Sequence, residues 1–386
     1  MKKPLNILVL ATTLHVGGAE TAMINLVRAL SRLQMEDTEG NSVPALNVHF
    51  CAIGGKSVFG EDTQIEAVRR LENPVKLIET RRFYSPRGFN EVRRYAIDNN
   101  IDVIHTFLAA ADILGNLLGK FLKLPVVTSL RNVPVEYKML RTDQRWLMEK
   151  LVIPNAAKLV ALSDEIRALS IDAWQLEPER IITIQNATDL TDYLAVSPGV
   201  PEAAGNQPIV ISTVGRLMQQ KAHKDLLIAA VRILERHPDV IFNIVGQGEL
   251  ESELKAQAKE LNIEHAVNFM GMRRDIPKVL AQSDIFVLSS HWEGMSVAAI
   301  EAMAAARPQV LTLVGANAEL IENEKHGLLV PAAEPAQLAD ALCRLIADKS
   351  LRLAMGALAR ERAREHFSTT SNSKRYSELY YAVAKS

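Results

Sequence analysis

Two cations in the second half of the chain stand five residues apart, directly after a short apolar run. Arg216 and Lys221 belong to the segment VGRLMQQKAHKD, which overlaps the end of the predicted strand PIVISTVG. Arginine holds phosphate oxygens with a planar fork of donors, and lysine acts as a point charge. The pair could therefore hold a diphosphate; the alternative is two solvated charges at the start of a helix.

Two glutamates frame the start of another predicted helix. Glu293 lies in the loop-like segment SSHWEG, and Glu301 lies in the apolar run that follows. The helix is predicted to begin at about Met295, so that the free backbone amides of Met295, Ser296 and Val297 form an anion site. A nucleotide diphosphate bound there would bring its sugar near Glu293 and its ribose near Glu301. The alternative is one capping glutamate and one surface glutamate.

Glycine-rich turns follow three of the predicted strands. They contain Gly17 with Gly18, Gly215, and Gly246 with Gly248. Glycine permits tight turns and a close approach of the backbone to a ligand, although each glycine could simply turn the chain. The segment VGQGELE lacks the third glycine of the dinucleotide fingerprint, and the sequence contains no Walker loop. Both observations argue against hydride transfer and P-loop chemistry.

The composition narrows the class of protein. A chain of 386 residues is too long for one hydrophobic core and predicts two domains. The formal net charge of −1 argues against a nucleic-acid partner. Cys51 and Cys343 stand far apart and outside any metal-type cluster, which favours buried free thiols in a reducing compartment. The start of the chain does not resemble a signal peptide, so a cytoplasmic protein is expected.

Short β-rich apolar runs alternate with helical patterns, which is typical of parallel α/β units. Residues 1–190 and residues 208–368 each contain a series of such runs and are predicted to be separate domains. Residues 191–207 contain prolines and glycines without periodicity and are predicted to be a linker. Residues 369–386 are predicted to close the chain with a helix that packs back on the N-terminal domain. Ligands of such sheets bind outside the carboxyl ends of the strands, where the charged motifs lie.

Five segments of the second half carry a family resemblance as a set: VGRLMQQKAHKDLLIAA, VGQGELESELK, VNFMGMRRDIPKVLAQSDIFVLSS, HWEGMSVAAIEAMA and HGLLVP. Together with HVGGAETA and IITIQNATDL, they make nearly the whole chain resemble the family 4 retaining glycosyltransferases. The resemblance implies the α/β GT-B fold, in which two Rossmann-like, doubly wound parallel-sheet domains face each other across a cleft. It also implies acceptor binding by the N-terminal domain and nucleotide-sugar binding by the C-terminal domain.

The resemblance assigns roles to individual residues. Arg216 and Lys221 match the pair that neutralises the donor diphosphate, Glu293 the glutamate that contacts the donor sugar, and Glu301 the one that binds the ribose. It implies catalysis without a metal or a cofactor, because cations and a helix dipole stabilise the leaving diphosphate. The other donor-binding positions that it implies are Gly17, Gly18, Gly215, Gly246, Met272, Arg273, Arg274, Gly294, Met295, Ser296 and Val297.

The chain departs from the family at four positions that usually hold glycine. These positions hold Ala187, Ala222, Arg307 and Ala316. Wherever the backbone needs a positive φ angle, such a replacement costs about 1 kcal/mol or more.

A further departure concerns a histidine that many relatives carry just after the fourth strand. In DVIHTFLAAADILG the corresponding places hold Phe107, Ala110 and Asp112. His105 and His15 are the candidate catalytic histidines, although a histidine on a strand of alternating pattern, such as His105, is more often a satisfied core residue. Asp112 is a possible replacement, and the leaving phosphate could itself take the proton of the acceptor. The residues leave this choice open.

The segment from Arg69 to Arg94 contains eight basic and three acidic residues in a chain that is otherwise nearly neutral. Within it, TRRFYSPRGFN interleaves cations with aromatic residues, as a surface that contacts anionic lipid headgroups would. The alternative is a solvated loop followed by an ordinary helix. With lipid contact, the protein would act at the inner face of the membrane.

We therefore expect a retaining, metal-independent glycosyltransferase. It would move a hexose or N-acetylhexosamine from a nucleotide diphosphate sugar, with UDP favoured, to a glycan or lipid-linked acceptor in cell-surface polysaccharide or lipopolysaccharide synthesis. Two alternatives belong to other classes: a nucleotide-sugar-binding protein that has lost catalysis, and a GT-B epimerase or hydrolase that needs no acceptor.

Overall fold

The computed structural model describes residues 3–14, 18–36, 42–54, 63–80, 85–131, 134, 140–198 and 208–385. The chain divides into two compact units. The first unit comprises Met1–Ala187 and Thr369–Ser386, and the second comprises Thr188–Ser368.

The first unit contains a seven-stranded parallel sheet and a small antiparallel hairpin that the sequence analysis did not predict. The strands are β1 (Leu5–Ala11), β2 (Gln34–Glu36), β3 (Ser42–Pro44), β4 (Leu46–Gly54), β5 (Val75–Glu79), β6 (Val103–Phe107), β7 (Val126–Leu130), β8 (Lys158–Ala161) and β9 (Ile181–Thr183). The sheet order is β5-β4-β1-β6-β7-β8-β9, and β2 pairs with β3.

Helices cover both faces of this sheet. They are α1 (Gly18–Ser31), α2 (Ile65–Arg69), α3 (Pro86–Asp98), α4 (Ala109–Leu122), α5 (Thr142–Leu147), α6 (Ile153–Asn155), α7 (Asp164–Trp174) and α16 (Thr369–Val383), with a π-helical turn over Met148–Val152. Successive residues of a strand point to opposite faces. Accordingly, Ile7 and Val9 of β1 pack in one core with α1 and α16, and Leu8 and Leu10 pack in another with α3 and α4.

The second unit contains a six-stranded parallel sheet between helices. Its strands are β10 (Val210–Val214), β11 (Ile241–Val245), β12 (Val267–Gly271), β13 (Ile285–Leu288), β14 (Gln309–Thr312) and β15 (Gly327–Val330), in the order β12-β11-β10-β13-β14-β15. Its helices are α8 (Thr191–Leu194), α9 (His223–Arg236), α10 (Glu251–Glu260), α11 (Ile276–Ala281), α12 (Val297–Ala304), α13 (Asn317–Leu320), α14 (Pro335–Ala347) and α15 (Lys349–His366). Ile211, Val287 and Val310 of the central strands form one core with α9 and α14.

Both large sheets are doubly wound, which confirms the predicted fold class for each unit. The strand order reverses between β1 and β6 in the first unit and between β10 and β13 in the second. The prediction that residues 191–207 form a linker is wrong for its first part. Residues 191–194 form α8, and residues 195–198 follow it as turn and bend within the second unit. Residues 199–207 lie outside the described part of the chain.

Within the described ranges, no helix is long and apolar enough to span a bilayer.

Candidate functional site

The two loops that carry Arg216, Lys221 and Glu293 meet at the switch point of the second sheet. Arg216 and Lys221 follow β10, and Glu293 follows the neighbouring strand β13. Hydrogen bonds join the two loops: the Gln220 side chain donates to the Trp292 carbonyl (3.1 Å), and Ser289 Oγ donates to the Lys221 carbonyl (3.0 Å). The crevice outside the carboxyl ends of strands at such a point is where open α/β sheets bind ligands.

Lys221 and Glu293 form an ion pair. Lys221 Nζ lies 2.5 Å from Glu293 Oε1, and the Ser290 hydroxyl donates to the same oxygen (2.6 Å). The two side chains are only 17% and 6% exposed, so the removal of one partner would leave a buried charge at a cost of about 3–5 kcal/mol. Ser290 was not among the residues predicted from the sequence, although two consecutive serines directly before the HWEG segment were a signal.

Arg216 follows β10 in the same loop as Lys221 and is exposed. Among the described residues, no ion pair involves its guanidinium. The aliphatic stem of Lys221 passes against Gly215, where an added Cβ would lie 3.3 Å from Lys221 Cε. The site therefore presents one cation that is paired with a carboxylate and one that is directed to solvent.

Two glycines allow backbones to approach closely around these loops. Gly246 has a φ angle of 140°, and a Cβ there would lie 1.9 Å from the Gly215 carbonyl oxygen. Gly315 has a φ angle of 49°, and a Cβ there would lie 1.9 Å from the carbonyl oxygen of Glu293. Gly246 thus supports the loop after β10, and Gly315 supports the backbone of Glu293.

The four departures from the glycine pattern differ in their backbone conformation. Ala222 has a φ angle of 47°, so strain of about 1 kcal/mol is expected at this position beside Lys221. Ala187, Arg307 and Ala316 do not have a positive φ angle. Three of the four replacements are therefore free of this strain.

The helix that follows Glu293 begins two residues later than the sequence analysis predicted. It begins at Val297, because Ser296 is the N-cap and its side chain accepts a hydrogen bond from the amide of Ala299 (3.3 Å). Gly294 and Met295 therefore belong to the loop. The amides of Val297 and Ala298 are first-turn groups that no helical carbonyl can satisfy, and they are the donors suited to an anion.

Glu301 lies on α12 and is buried. Burial raises the pKa of its carboxyl to about 7, and the nearby Tyr193 side chain opposes this rise. Burial and the nearby charge of Glu301 in turn raise the pKa of Tyr193. Tyr193 lies in the segment predicted to be a linker, so its place in the second unit was not expected from the sequence.

Two histidines lie near the start of α9. His291 Nε2 lies 2.8 Å from Asp225 Oδ2 in the first turn of the helix. His223 is buried, and burial together with the charge of Lys221 lowers its pKa to about 4. His223 is therefore neutral at neutral pH.

The residues predicted to lie beside the base follow the edge strand β12. Met272 is half-buried, and Arg273 and Arg274 are exposed. Arg273 donates two hydrogen bonds of 2.8 Å to Asp275. These hydrogen bonds lower the pKa of the Asp275 carboxyl to about 2. Among the described residues, no group of three histidines, cysteines or carboxylates is arranged to hold a metal ion.

The structure argues against His105 as a catalytic residue of the first unit. Its ring is fully buried, with Nδ1 2.7 Å from the Tyr380 hydroxyl and Nε2 2.8 Å from the Ser129 hydroxyl. Burial lowers its pKa well below the ordinary value. A ring held on both sides by core hydroxyls matches the alternative of a satisfied core histidine.

Asp112 lies on α4, at the switch point of the first sheet, and is fully buried. Among the described residues, neither carboxylate oxygen has a hydrogen-bond partner, since the nearby Thr106 hydroxyl is directed to Thr128. Burial raises its pKa to about 8. Its turn is strained, because Leu108, the residue before α4, has a φ angle of 73°.

The described residues include only part of the segment that contains the N-terminal glycines. Gly18 is the first residue of α1, whereas His15 and Gly17 lie outside the described residues. Their predicted contacts with the donor remain predictions.

Two family models match the chain in succession. Glycosyltransferase Family 4 matches residues 16–192, and Glycosyl transferases group 1 matches residues 200–362. The chain is similar to the Escherichia coli UDP-Gal:alpha-D-GlcNAc-diphosphoundecaprenol alpha-1,3-galactosyltransferase, with 29% identity over 72% of this chain and 75% of that protein. It is also 29% identical to the D-inositol 3-phosphate glycosyltransferase of Corynebacterium urealyticum, over 62% of this chain and 60% of that protein.

A solved structure shares the fold over almost the whole chain. HepE of Anabaena, crystallised with UDP and glucose, superposes with a TM-score of 0.80 at 20% identity and covers 97% of this chain and 99% of its own. Because the two family models together span most of the sequence and the doubly wound units match a GT-B structure, the chain belongs to the family 4 glycosyltransferases.

Proposed function

We propose that the protein is a retaining glycosyltransferase that transfers a hexose or N-acetylhexosamine from a UDP-sugar to a glycan or lipid-linked acceptor. The observation that carries the proposal is the grouping of Arg216, Lys221 and Glu293 in two hydrogen-bonded loops at the switch point of the second sheet. Cations beside the start of a helix suit a diphosphate, and a carboxylate beside them suits sugar hydroxyls.

In the proposed mechanism, the donor diphosphate binds Arg216 first and then competes with Glu293 for Lys221. The carboxylate of Glu293 is thereby released to accept hydrogen bonds from the donor sugar. The bond between the anomeric carbon and the diphosphate oxygen breaks, and its electron pair remains on the diphosphate. The acceptor oxygen forms the new bond on the same face, and its proton passes to the leaving phosphate. Fixed cations and helix amides stabilise the charge that develops on the leaving group, so no metal is required.

The comparisons support the donor and acceptor classes. The Escherichia coli relative is named for a UDP-galactose donor and a diphosphoundecaprenol acceptor, and the Corynebacterium relative for an inositol phosphate. We therefore propose a lipid-linked or phosphorylated acceptor and a role in cell-surface polysaccharide or lipopolysaccharide synthesis.

We further propose that α3 and α4 contact an anionic membrane surface at its inner face. Phe121 on α4 is 60% exposed, the Arg93 guanidinium lies 5.1 Å from the centre of its ring, and Phe89 packs edge-on against it. Leu117 and Ile97 are also exposed on these two helices. Part of the basic segment, residues 81–84, lies outside the described residues.

A thermal-shift screen with UDP, GDP, ADP and their sugar conjugates, each with and without a chelator, tests the donor. A stabilisation by UDP and one UDP-sugar that survives chelation is expected. Incubation of that donor with and without lipid-linked acceptors then separates transfer from hydrolysis or epimerisation. A shift without any turnover would instead favour a binding protein that has lost catalysis. No shift with any nucleotide would refute the proposed donor.

A further inference from the structure

A histidine that the proposed mechanism does not use lies in the same loop as Glu293. His291 follows β13, and its Nε2 lies 2.8 Å from Oδ2 of Asp225, in the first turn of α9. An ionised carboxylate only accepts hydrogen bonds, so Nε2 is the nitrogen that donates. The side chains of His291 and Asp225 are 35% and 20% exposed, which shields their contact partly from water. We call this contact the latch.

The backbone at His291 is also joined to the loop that carries Lys221. The amide of His291 donates to the carbonyl of Gln220 (2.9 Å), and the Gln220 side chain donates to the carbonyl of Trp292 (3.1 Å). Ser289 Oγ donates to the carbonyl of Lys221 (3.0 Å). These three hydrogen bonds join one loop to another loop.

The latch instead joins the loop after β13 to a long helix. The helix α9 spans 14 residues, and Leu226 and Leu227, the residues after Asp225, are buried in the core of the second unit. A carboxylate in the first turn of a helix is also favoured by the helix dipole. His291 is therefore tied to an element that cannot shift without disturbing the core.

The residue before His291 holds the side chain of Glu293. The Ser290 hydroxyl donates to Glu293 Oε1 (2.6 Å), the oxygen that also accepts from Lys221 Nζ. In the proposed mechanism, the diphosphate takes Lys221 away from Glu293, and the hydrogen bond from Ser290 remains. That bond depends on the position of the backbone at Ser290 and His291. The latch fixes this backbone.

We propose that His291 is a positioning residue for recognition of the donor sugar. Its contact with Asp225 holds the loop after β13 in place when Lys221 turns to the diphosphate, so that Glu293 stays directed to the sugar hydroxyls. The inference rests on the proposed function, because that function places the sugar at Glu293. A partly exposed pair adds little to the stability of a fold, so the loss of the latch should affect sugar recognition more than the melting temperature.

Calorimetric affinities of the full-length protein for UDP and for UDP-galactose, UDP-glucose and UDP-N-acetylglucosamine test this role. The readout is the dissociation constant of the UDP-sugar that binds most tightly, divided by that of UDP, which has no sugar. His291→Leu removes the donor of the latch and should raise this ratio about tenfold, as the loss of a hydrogen bond to a charged group does. His291→Gln keeps an amide nitrogen near the place of Nε2 and should hold the ratio within about twofold of the wild type.

Three further variants complete the test. Asp225→Ala removes the other half of the latch and should raise the ratio as much as His291→Leu does. The double variant should show no further rise, because the two residues act through one contact. Glu253→Gln is the matched control, since it breaks the exposed ion pair between Glu253 and Lys224 on α9 (2.6 Å) and should leave the ratio unchanged.

The outcomes separate the inference from the proposed function. An unchanged ratio in His291→Leu would overturn the inference, and so would an equal loss of affinity for UDP and the UDP-sugar, which would indicate a general loosening of the site. If His291→Leu does not fold, Asp225→Ala makes the same comparison. An unchanged ratio in Glu293→Gln would refute the placement of the sugar at Glu293, and the inference would fail with it. A wild-type protein that binds none of the UDP-sugars would refute the proposed donor itself.

Discussion

The ionisation of Glu301 should control the affinity for the donor near neutral pH. Burial raises the pKa of this carboxyl to about 7, so the free protein holds a mixture of protonated and ionised forms. In the proposed function, a pair of ribose hydroxyls donates hydrogen bonds more strongly to the ionised carboxylate than to the protonated carboxyl, which uses one oxygen as a donor. We therefore predict that affinity for UDP-galactose falls as the pH falls through 7.

The size of the effect follows from the fraction of competent sites. With a pKa of about 7, roughly nine-tenths of the carboxyls are ionised at pH 8 and about one-tenth at pH 6. The apparent dissociation constant equals the intrinsic constant divided by that fraction. It should therefore rise about tenfold from pH 8 to pH 6, which corresponds to about 1.4 kcal/mol.

Calorimetric titration with UDP-galactose at several pH values measures this dependence. The nucleotide sugar is preferable to UDP, because a terminal phosphate titrates with a pKa of about 6 and would add its own pH dependence. Glu301→Gln is the matched control, since the amide has nearly the same shape and does not titrate. Its dissociation constant should be almost independent of pH over the same range.

Two results would refute the reasoning. A flat wild-type profile would mean that the protonated carboxyl binds the ribose as well as the ionised one. The same slope in Glu301→Gln would place the titrating group elsewhere. A histidine that becomes protonated would strengthen the binding of an anion at low pH, so the sign of the slope distinguishes it from Glu301.

Three further predictions concern turnover, stability and membrane contact. Lys221→Ala should reduce turnover about 100-fold or more, and normal turnover in this variant would place the diphosphate elsewhere. The double variant with Glu293→Gln should recover the melting temperature but not the activity, because the glutamine removes the buried charge that Lys221→Ala leaves unpaired. Asp112, with a folded pKa of about 8 against an ordinary value of 3.8, keeps a proton that the unfolded chain releases, so stability should fall by about 2 kcal/mol from pH 6 to pH 8 and this slope should disappear in Asp112→Asn melting curves. Phe121→Ser should weaken flotation with phosphatidylglycerol vesicles about tenfold. Substitution of Leu353, an exposed leucine on α15, by serine should not weaken it, and equal effects of the two variants would argue against membrane contact through α3 and α4.

The sequence predicted the strands, and the position of the charged loops at the ends of strands, because both are encoded locally. Each strand of the two large sheets is a short apolar run, and helices on both faces require such continuous runs. The charged residues of the donor loops stand at the ends of two such runs. Once β10 and β13 are adjacent, Arg216, Lys221 and Glu293 necessarily share one edge of the sheet.

The sequence could not predict contacts that depend on distant partners. The linker composition of residues 191–207 gave no sign that Arg307 and Arg360 would hold the first part against the second unit. The hairpin of β2 and β3 is too short to give a periodic signal. In the first unit, the alternation of β6 allowed a core or a catalytic role for His105, and only the hydroxyls of Ser129 and Tyr380 favour the core.

The charge state of the donor site explains how two glutamates can flank a site for an anion. In the structure, Glu293 is neutralised by Lys221, and burial of Glu301 holds its carboxyl partly protonated near pH 7. The exposed cation Arg216 and the first amides of α12 are then the main unbalanced charges that an approaching diphosphate meets. In the proposed mechanism, Glu293 becomes available to a sugar only after the phosphate binds Lys221. The carboxylates would then not repel the ligand during its approach, and they would accept hydrogen bonds from its hydroxyls once the phosphate is in place.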